Sequence, residues 1–376
     1  MQLTRLAFYH VRMPLQHPFE TSFGRITHRE CILIEAEDES GRIGWGECAA
    51  DRDPGFSYET TGTAWHILTA FLGPAALQAA LDDADPAAHF QRRVAAVKGH
   101  NMAKAGLEMA LWDLQGKRTG RSLQDLLGGA RERVPVGVSI GLQPSPEALV
   151  ARVAHFLEQG YRRIKIKIKP GRDVGDAQAV RAAFPHIMLQ VDANSAYSLE
   201  TAQALRPLDD LNLLLIEQPL AEDDLWEHHK LQAQFQTPLC LDESIRLPRH
   251  AAQALEMDAC RVINIKQGRV GGLHNALAIH DLAQAQGVPV WCGGMLETGI
   301  GRAANLALAS LPNFRLPGDI SATDRYYAQD ITHQRFTLNA DGTITVPRAP
   351  GLGVTVNREA LARYTLRASS LTAPRP

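Results

Sequence analysis

Three equally spaced carboxylates restrict the fold of this chain more than any other feature. Asp192 ends an apolar run, Glu217 ends another 25 residues later, and Asp242 ends a third after 25 more. This spacing matches one strand plus one helix, the repeat of a parallel α/β sheet. Because the carboxyl ends of parallel strands meet at one edge and carry the chemistry, we expect the three side chains to share one site.

The alternation of strand and helix patterns beyond residue 125 predicts a barrel. Eight βα-type units over about 190 residues favour a closed (β/α)-barrel over an open sheet. The strands are predicted at Val134–Ser139, Arg163–Ile168, Ile187–Asp192, Leu213–Glu217, Leu239–Asp242, Ala259–Lys266, Val288–Cys292 and near Phe314–Gly318. The clearest helices between them are predicted at Ser145–Gln159, Leu199–Leu208, Asp224–Gln236 and Gly272–Gln286.

The N-terminal part follows a different, α+β pattern. Cys31–Glu37 and Arg42–Glu47 predict a hairpin, and Asn101–Gln115 predicts a helix. A second hairpin is predicted near the C-terminus, between Phe336–Leu338 and Thr343–Val346. We therefore predict an α/β protein with a capping domain over residues 1–125, a barrel over residues 126–320, and a C-terminal segment, residues 321–376, that returns to the cap.

Composition argues against several classes of function. The formal net charge of −2 gives no electrostatic reason to expect nucleic acid or an anionic membrane surface as a partner. No apolar stretch is long enough to span a membrane and the N-terminus has no signal-peptide pattern, so we expect a cytoplasmic protein. The five cysteines form no CxxC pair and are expected to be reduced core residues.

Three converging anions need a cation or protons to offset their repulsion. Oxygen ligands without a histidine or cysteine pattern favour Mg²⁺, with Mn²⁺ or another divalent ion as a substitute, over zinc. The alternative is that Asp192, Glu217 and Asp242 each form a separate salt bridge or cap a helix. For any one acid this alternative is preferable, but the equal spacing of all three favours a metal site.

Lysines alternate with isoleucines in the strand predicted after residue 162. The strand period of two places Ile164, Ile166 and Ile168 on one face and Lys165, Lys167 and Lys169 on the other. If the isoleucines pack against outer helices, Lys165 and Lys167 point into the barrel, whereas Lys169 is expected in solvent. Neighbouring cations and partial burial lower a lysine pKa towards the range that a general base needs. An exposed edge strand is the alternative.

Lys266 ends a further apolar run, 24 residues after Asp242. In a closed barrel it would lie across the mouth from Lys167. Two ammonium groups on opposite sides of a metal-bound carboxylate suggest one base on each face of a carbon acid, with the metal stabilising the enolate.

Together these residues resemble the enolase superfamily, in its muconate-lactonizing-enzyme-like subgroup. Within that subgroup they are most similar to the branch of N-succinylamino acid racemases and o-succinylbenzoate synthases. The resemblance covers nearly the whole chain and implies a TIM-like (β/α)7β barrel whose α+β cap is built from the N-terminal part and the C-terminal tail. We also expect a homo-oligomer. The matching motifs are Lys165–Lys167, Val191–Ser195, Ile216–Pro219, Leu241–Ser244, Asn264–Gly272 and Gly293–Gly301.

The resemblance implies proton abstraction α to the carboxylate of a small-molecule substrate. It implies that Asp192, Glu217 and Asp242 bind Mg²⁺, that Lys167 and Lys266 are the acid/base pair, and that Lys165 is an electrostatic helper. We expect an N-succinylamino acid racemase that also performs the o-succinylbenzoate synthase reaction. A dedicated synthase of menaquinone biosynthesis, or another muconate-cycloisomerase-like enzyme, is the alternative. Dipeptide epimerases of the subgroup carry an Asp-x-Asp near the eighth strand, and Gly293–Gly299, taken as that region, argues against them.

Further residues are expected to contact the substrate. The amides of Gly299 and Gly301, at the start of a predicted helix, suit a carboxylate, although a tightly packed turn explains them equally well. Arg269 either lowers the pKa of Lys266 or forms a structural ion pair. The loops Phe19–Gly24 and Asp51–Phe56 match cap loops that close over the substrate in the family. The expected contacts are Phe19, Phe23, Ser139, Asn194, Arg269, Gly294, Met295, Glu297 and Gly299.

Two other classes of protein are alternatives. An aldolase-type barrel with a Schiff-base lysine would leave the three spaced carboxylates unexplained, and borohydride trapping would detect it. A non-catalytic binding protein with this fold would have no use for lysines and acids that destabilise a barrel mouth. Absence of metal-dependent α-proton exchange on every acid tested would favour that second class.

Overall fold

A computed structural model describes residues 1–22, 24–82 and 84–374. It contains a four-stranded antiparallel sheet and a seven-stranded parallel sheet, the latter curled into a barrel. The predicted α/β barrel with an α+β cap is confirmed. No helix in the described ranges is long and apolar enough to cross a membrane, and all five cysteines are free and buried.

The cap sheet begins with a long hairpin. Strand β1 (Leu3–Thr21) pairs with β2 (Gly24–Asp38), which in turn pairs with β3 (Ile43–Cys48). The predicted hairpin is thus present, with a longer first arm. Strand β1 was not predicted, because prolines interrupt its pattern, and its register with β2 shifts between Pro14 and Phe19.

Helices cover one face of the cap sheet. The longest, α4 (Asn101–Thr119), is followed by Gly120, whose φ of 69° is the left-handed conformation common after helices. It lies so close to β3 that a Cβ at Gly46 would stand 2.0 Å from the Gly106 carbonyl oxygen. A π-helical turn, Leu68–Leu72, follows the helix that ends at Ile67. The helices are α1 (Thr61–Ile67), α2 (Gly73–Leu77), α3 (Pro86–Arg93), α4 (Asn101–Thr119) and α5 (Leu123–Leu127).

The barrel strands follow one another in chain order around the sheet. Isolated parallel bridges from Val290 to Phe314 and from Val136 to Gly318 place the eighth segment between the last and first strands, as predicted. After the short β4 (Arg133–Pro135) come β5 (Gly137–Ile140), β6 (Arg163–Lys167), β7 (Met188–Asp192), β8 (Ile216–Glu217), β9 (Leu239–Leu241), β10 (Val262–Ile265) and β11 (Val290–Cys292).

Helices surround this sheet. In place of the helix predicted at Leu199–Leu208 lies a 3₁₀ helix, Thr201–Leu211, which contains Pro207 and therefore lacks one backbone donor. A short helix begins directly after Lys266. The α-helices are α6 (Pro146–Glu158), α7 (Val174–Ala183), α8 (Leu225–Gln232), α9 (Pro248–Glu256), α10 (Gln267–Val270), α11 (Leu273–Ala285) and α12 (Gly299–Ala309).

The C-terminal tail crosses the barrel and then completes the cap. A 3₁₀ turn, Thr323–Arg325, comes first. Strand β12 (Thr343–Thr345) pairs with β4, so the hairpin predicted with Phe336–Leu338 is wrong: the turn exists, but the strand after it lies along β4 instead. Helix α13 (Arg358–Tyr364) leads into β13 (Thr365–Thr372), which pairs antiparallel with β1.

Two buried cap carboxylates bind the start of barrel helices. Glu47, in β3, accepts hydrogen bonds from Thr298 Oγ1 at 2.7 Å and the Gly301 amide at 3.0 Å, where α12 begins. Glu108, in α4, accepts one from the His274 amide at 2.9 Å, where α11 begins. These amides have no partner inside their own helices, so the cap supplies the capping groups. We call these contacts the cap–barrel joint.

Candidate active site

The three carboxylates stand side by side at one end of the parallel sheet. Asp192 is the last residue of β7 and Glu217 the last of β8, and the two are directly paired across the ladder. Asp242 immediately follows β9, the next strand. All three side chains are buried. Because these neighbouring strands are parallel, a spacing of one βα unit is enough to bring their last residues to one edge.

Strand β6 turns two lysines towards them. Lys165 Nζ lies 2.9 Å from Glu217, 3.1 Å from Asp192 and 2.6 Å from Asp319. Lys167 Nζ donates to Asp192 Oδ2 and to Asn194 Oδ1, both at 2.6 Å. The alternate isoleucines of the strand belong to the apolar core. The amphipathic pattern of this strand thus has its charged side inside the barrel.

The electrostatic surroundings of Lys165 differ from the sequence-based expectation. Burial alone would lower its pKa, but the carboxylates of Asp319, Glu217 and Asp192 raise the pKa well above the ordinary lysine value. Lys165 is therefore a fixed positive charge at neutral pH, and the prediction of a lowered lysine pKa is not met there.

Lys266 approaches from the far side of the three carboxylate strands. It follows β10, and its Nζ donates to Asp242 Oδ2 at 2.7 Å. Arg269 forms an ion pair with the other oxygen of Asp242 and donates to the Ile245 carbonyl at 2.8 Å. Arg269 is buried behind the carboxylate, away from the lining of the pocket. Of its two predicted roles, the structural ion pair is the one seen.

Each carboxylate is turned towards a cation. Consequently, within residues 1–22, 24–82 and 84–374, no three acidic, histidine or cysteine side chains are already grouped to hold an ion. The residue set nonetheless fits a divalent cation. Burial, and then the negative charge of Asp192, raises the pKa of Glu217 above its ordinary value, so the carboxylates crowd one another. Oxygen donors crowded in this way suit a hard divalent ion.

A cavity of about 270 Å³ opens between the tip of the cap hairpin and the barrel mouth. All three lysines line it. Five of the expected substrate contacts also line it, namely Phe19, Ser139, Asn194, Gly294 and Met295. The hydroxyl of Ser139 is buried and has no hydrogen-bond partner within the described part of the chain, so it is available to a ligand.

Other expected contacts are used elsewhere. Glu297 accepts hydrogen bonds from the Met295 amide at 2.8 Å and Asn305 at 2.9 Å, so it shapes the loop after β11. The amide of Gly299 donates to Asp330 at 2.9 Å, and that of Gly301 belongs to the cap–barrel joint. The start of α12 thus binds carboxylates of the protein itself. Phe23 lies outside the described residues.

Several residues at the site were not predicted from the sequence. Asn264, in β10, donates to Glu217 at 2.7 Å. Because it lies two residues before Lys266, the alternation of strand side chains predicts that both face the same side. Glu243 accepts from Asn194 at 2.9 Å, and burial followed by the charge of Asp192 raises its pKa to about 7. Asp319, which holds Lys165, follows the irregular eighth segment, where no periodicity marks it.

The eighth segment also corrects one comparison made from the sequence. Gly293–Gly299 follows β11, the seventh strand of the barrel, and is not the eighth-strand region. The residues after Gly318 are Asp319, Ile320 and Ser321. This segment therefore holds the first acid of an Asp-x-Asp pattern but has serine in place of the second.

Family models match both parts of the chain. The model described as the mandelate racemase/muconate lactonizing enzyme N-terminal domain matches residues 4–128, and the enolase C-terminal domain-like model matches residues 148–360. The chain belongs to the enolase superfamily. The predicted resemblance is confirmed. Members of this superfamily generally use a divalent metal. The protein is an enzyme, since its relatives in the superfamily are isomerases and lyases.

Individual members of the superfamily are similar over nearly their whole length. An o-succinylbenzoate synthase from Geobacillus stearothermophilus is 50% identical over 359 residues, covering 95% of this chain and 94% of its own. An N-succinylamino acid racemase from Amycolatopsis is 48% identical over 366 residues, covering 97% of this chain and 98% of its own. The crystal structure of an enolase superfamily member from Listeria innocua superposes with a TM-score of 0.95 at 40% identity, covering 100% of both chains.

Proposed function

We propose that the enzyme removes the proton α to the carboxylate of an N-succinylamino acid, racemises it, and also performs the o-succinylbenzoate synthase reaction. The observation that carries this proposal is the order of side chains along the sheet. Lys167 and Lys266 come from β6 and from the end of β10, on either side of the three strands that carry the carboxylates. Both lysines line the same cavity.

In this proposal Asp192, Glu217 and Asp242 hold Mg²⁺. When bound, the ion would offset negative charge that develops on the substrate carboxylate as the α-proton leaves. The family relationship supports a divalent ion, and the all-oxygen donor set favours magnesium among the common ones.

The lysines divide the proton transfer between them. In a racemase, one lysine takes the α-proton from one face and the other lysine delivers a proton to the opposite face. In this proposal Lys165 contributes charge rather than a proton, because its ammonium group is also held at 2.6 Å by Asp319, which is not one of the three proposed metal ligands. Its ammonium group, in contact with Asp192 and Glu217, would place a positive charge beside a substrate carboxylate bound at these acids.

The names of the relatives support both activities. A dedicated o-succinylbenzoate synthase is the second candidate, because a relative with that name is 50% identical. A syn elimination needs one lysine as both base and acid and leaves the other as a fixed cation. A side-by-side assay of N-succinylamino acids and of the synthase substrate, with the same enzyme preparation and Mg²⁺, separates the candidates. Turnover of the synthase substrate alone would reject the racemase.

Replacement of each lysine tests the two-base arrangement. We expect Lys167→Ala and Lys266→Ala each to stop racemisation while each retains α-proton exchange with one enantiomer, the one whose proton faces the remaining lysine. The two variants should have opposite preferences. The measurement is loss of the α-proton signal by NMR after incubation of each variant with each enantiomer in D₂O. Exchange of the same enantiomer by both variants, or racemisation by either at the wild-type rate, contradicts the assignment.

A further inference from the structure

The two lysines assigned to proton transfer have different surroundings. Lys167 Nζ is held at 2.6 Å by Asp192 and by Asn194, which both belong to the barrel. Lys266 Nζ is held by Asp242, and it also lies 4.2 Å from the centre of the Phe56 ring. Across the described ranges, no aromatic ring is in cation–π contact with Lys167. Among the described residues, the cap therefore supplies an aromatic ring to Lys266 and none to Lys167.

The position of Lys266 depends on contacts along its whole side chain. A lysine ammonium sits on a flexible stem, so its location is set by what surrounds it. On one side is Gly293, where a Cβ would stand only 2.6 Å from Lys266 Cε. Asp242 fixes the ammonium from the floor of the barrel. The ring of Phe56 is the third contact, and it comes from the cap.

The Phe56 side chain is half-buried and packs on the cap. Its ring packs against the apolar core of the cap, a cluster that includes Met295 from the wall of the pocket. The loop that carries Phe56 is closed at its base, where the Thr61 amide donates to the Asp51 carbonyl at 2.7 Å. Asp51 is further held in an ion pair with the buried Arg29. A ring fixed in this way can define where Lys266 Nζ lies.

We infer that Phe56 is a positioning residue for Lys266 and not for Lys167. The cap then governs proton transfer on one face of the α-carbon only. An aromatic face attracts an ammonium group, and this attraction is stronger where water is excluded. The inference rests on the proposed function, because it assumes that each lysine serves one enantiomer.

The test compares exchange of the two enantiomers of an N-succinylamino acid in D₂O. The enantiomer that Lys167→Ala still exchanges is, by definition, the one served by Lys266. For that enantiomer we expect Phe56→Leu to lower the exchange rate on the order of tenfold, equivalent to about 1.4 kcal/mol. The rate for the other enantiomer should change much less. Phe56→Tyr, which keeps the ring, should have the wild-type ratio of the two exchange rates.

A control variant separates positioning from general damage to the pocket. Phe19 also lines the cavity but is not in cation–π contact with either lysine in the described structure, so Phe19→Leu should affect both enantiomers alike. An equal loss for both enantiomers in Phe56→Leu, or no loss, overturns the inference. So does Phe56→Tyr behaving like Phe56→Leu.

A second readout does not depend on activity. In the wild-type protein, the ε-methylene protons of Lys266 should show an upfield ring-current shift in NMR spectra, assigned through Lys266→Arg. The shift should disappear in Phe56→Leu and remain in Phe56→Tyr. If it is insensitive to Phe56, the positioning role is wrong even when the two-base mechanism holds. If the shift behaves as expected but the lysine variants show no opposite preference, the two-base function fails, and the inference with it.

Discussion

Buried carboxylates gather in two regions of the molecule and meet different partners. At the barrel mouth, Asp192, Glu217 and Asp242 contact lysine and arginine side chains. At the cap–barrel joint, Glu47 and Glu108 contact backbone amides at the start of α12 and α11. A long cationic side chain can move and leave its carboxylate to another ligand, whereas a helix amide cannot move without unfolding its helix. The comparison assigns the first region to chemistry and the second to stability.

The largest effect is expected at the mouth, from Glu217→Gln. A bound metal contributes several kcal/mol to catalysis, so we expect kcat/KM to fall on the order of 10³-fold. The melting temperature should change little, because burial and the charge of Asp192 already disfavour the ionised form of Glu217. The measurements are steady-state kinetics and thermal unfolding. EDTA should inactivate the wild type and Mg²⁺ restore it. Full activity of a preparation shown to be metal-free would refute the metal site.

The opposite behaviour is expected at the joint, from Gly272→Ala. Gly272 has a φ of 126°, and a Cβ there would stand 1.3 Å from Glu108 Oε2. Strain and the displaced carboxylate should lower the free energy of unfolding by about 3 kcal/mol. At assay temperatures well below the melting temperature, kcat/KM should fall only a few-fold. Denaturant unfolding measures the change in the free energy of unfolding. Gly175→Ala is the control, since nothing lies near that position, and a loss equal to that of Gly272→Ala would contradict the role of the joint.

The smallest effect concerns pH. Burial raises the pKa of Glu108 to about 7, whereas in the unfolded chain the value is about 4.3. Between these values the folded state keeps a proton that the unfolded state has released, so stability should fall as pH rises, by on the order of 1 kcal/mol per pH unit. The measurement is the difference in unfolding free energy between wild type and Glu108→Gln at pH 5, 6 and 7. A difference that is constant across these values would show that Glu108 does not titrate as described.

The barrel mouth could be predicted from the sequence, whereas the cap–barrel joint could not. Asp192, Glu217, Asp242 and the lysines were found because strand ends repeat at a fixed spacing and strand side chains alternate. Glu47 and Glu108 carry no such signal. Their partners are amides brought together by the docking of the cap, and neither spacing nor composition encodes that contact. For the same reason the sequence left two uses open for the amides of Gly299 and Gly301, a substrate carboxylate or a packed turn, whereas they bind Asp330 and Glu47.

The joint also bears on how cap and barrel can be recombined between relatives. A barrel expressed alone would present the starts of α11 and α12 with unfilled donors, at roughly 1 kcal/mol for each lost cap. A cap taken from another member of the superfamily would need acidic residues at the positions of Glu47 and Glu108. The recipient barrel would need glycine at the position of Gly272. Chimeras in which only the cap loops that line the cavity are exchanged should therefore fold more readily than chimeras in which the core of the cap is exchanged. The reason is that the cap supplies the capping groups of two barrel helices.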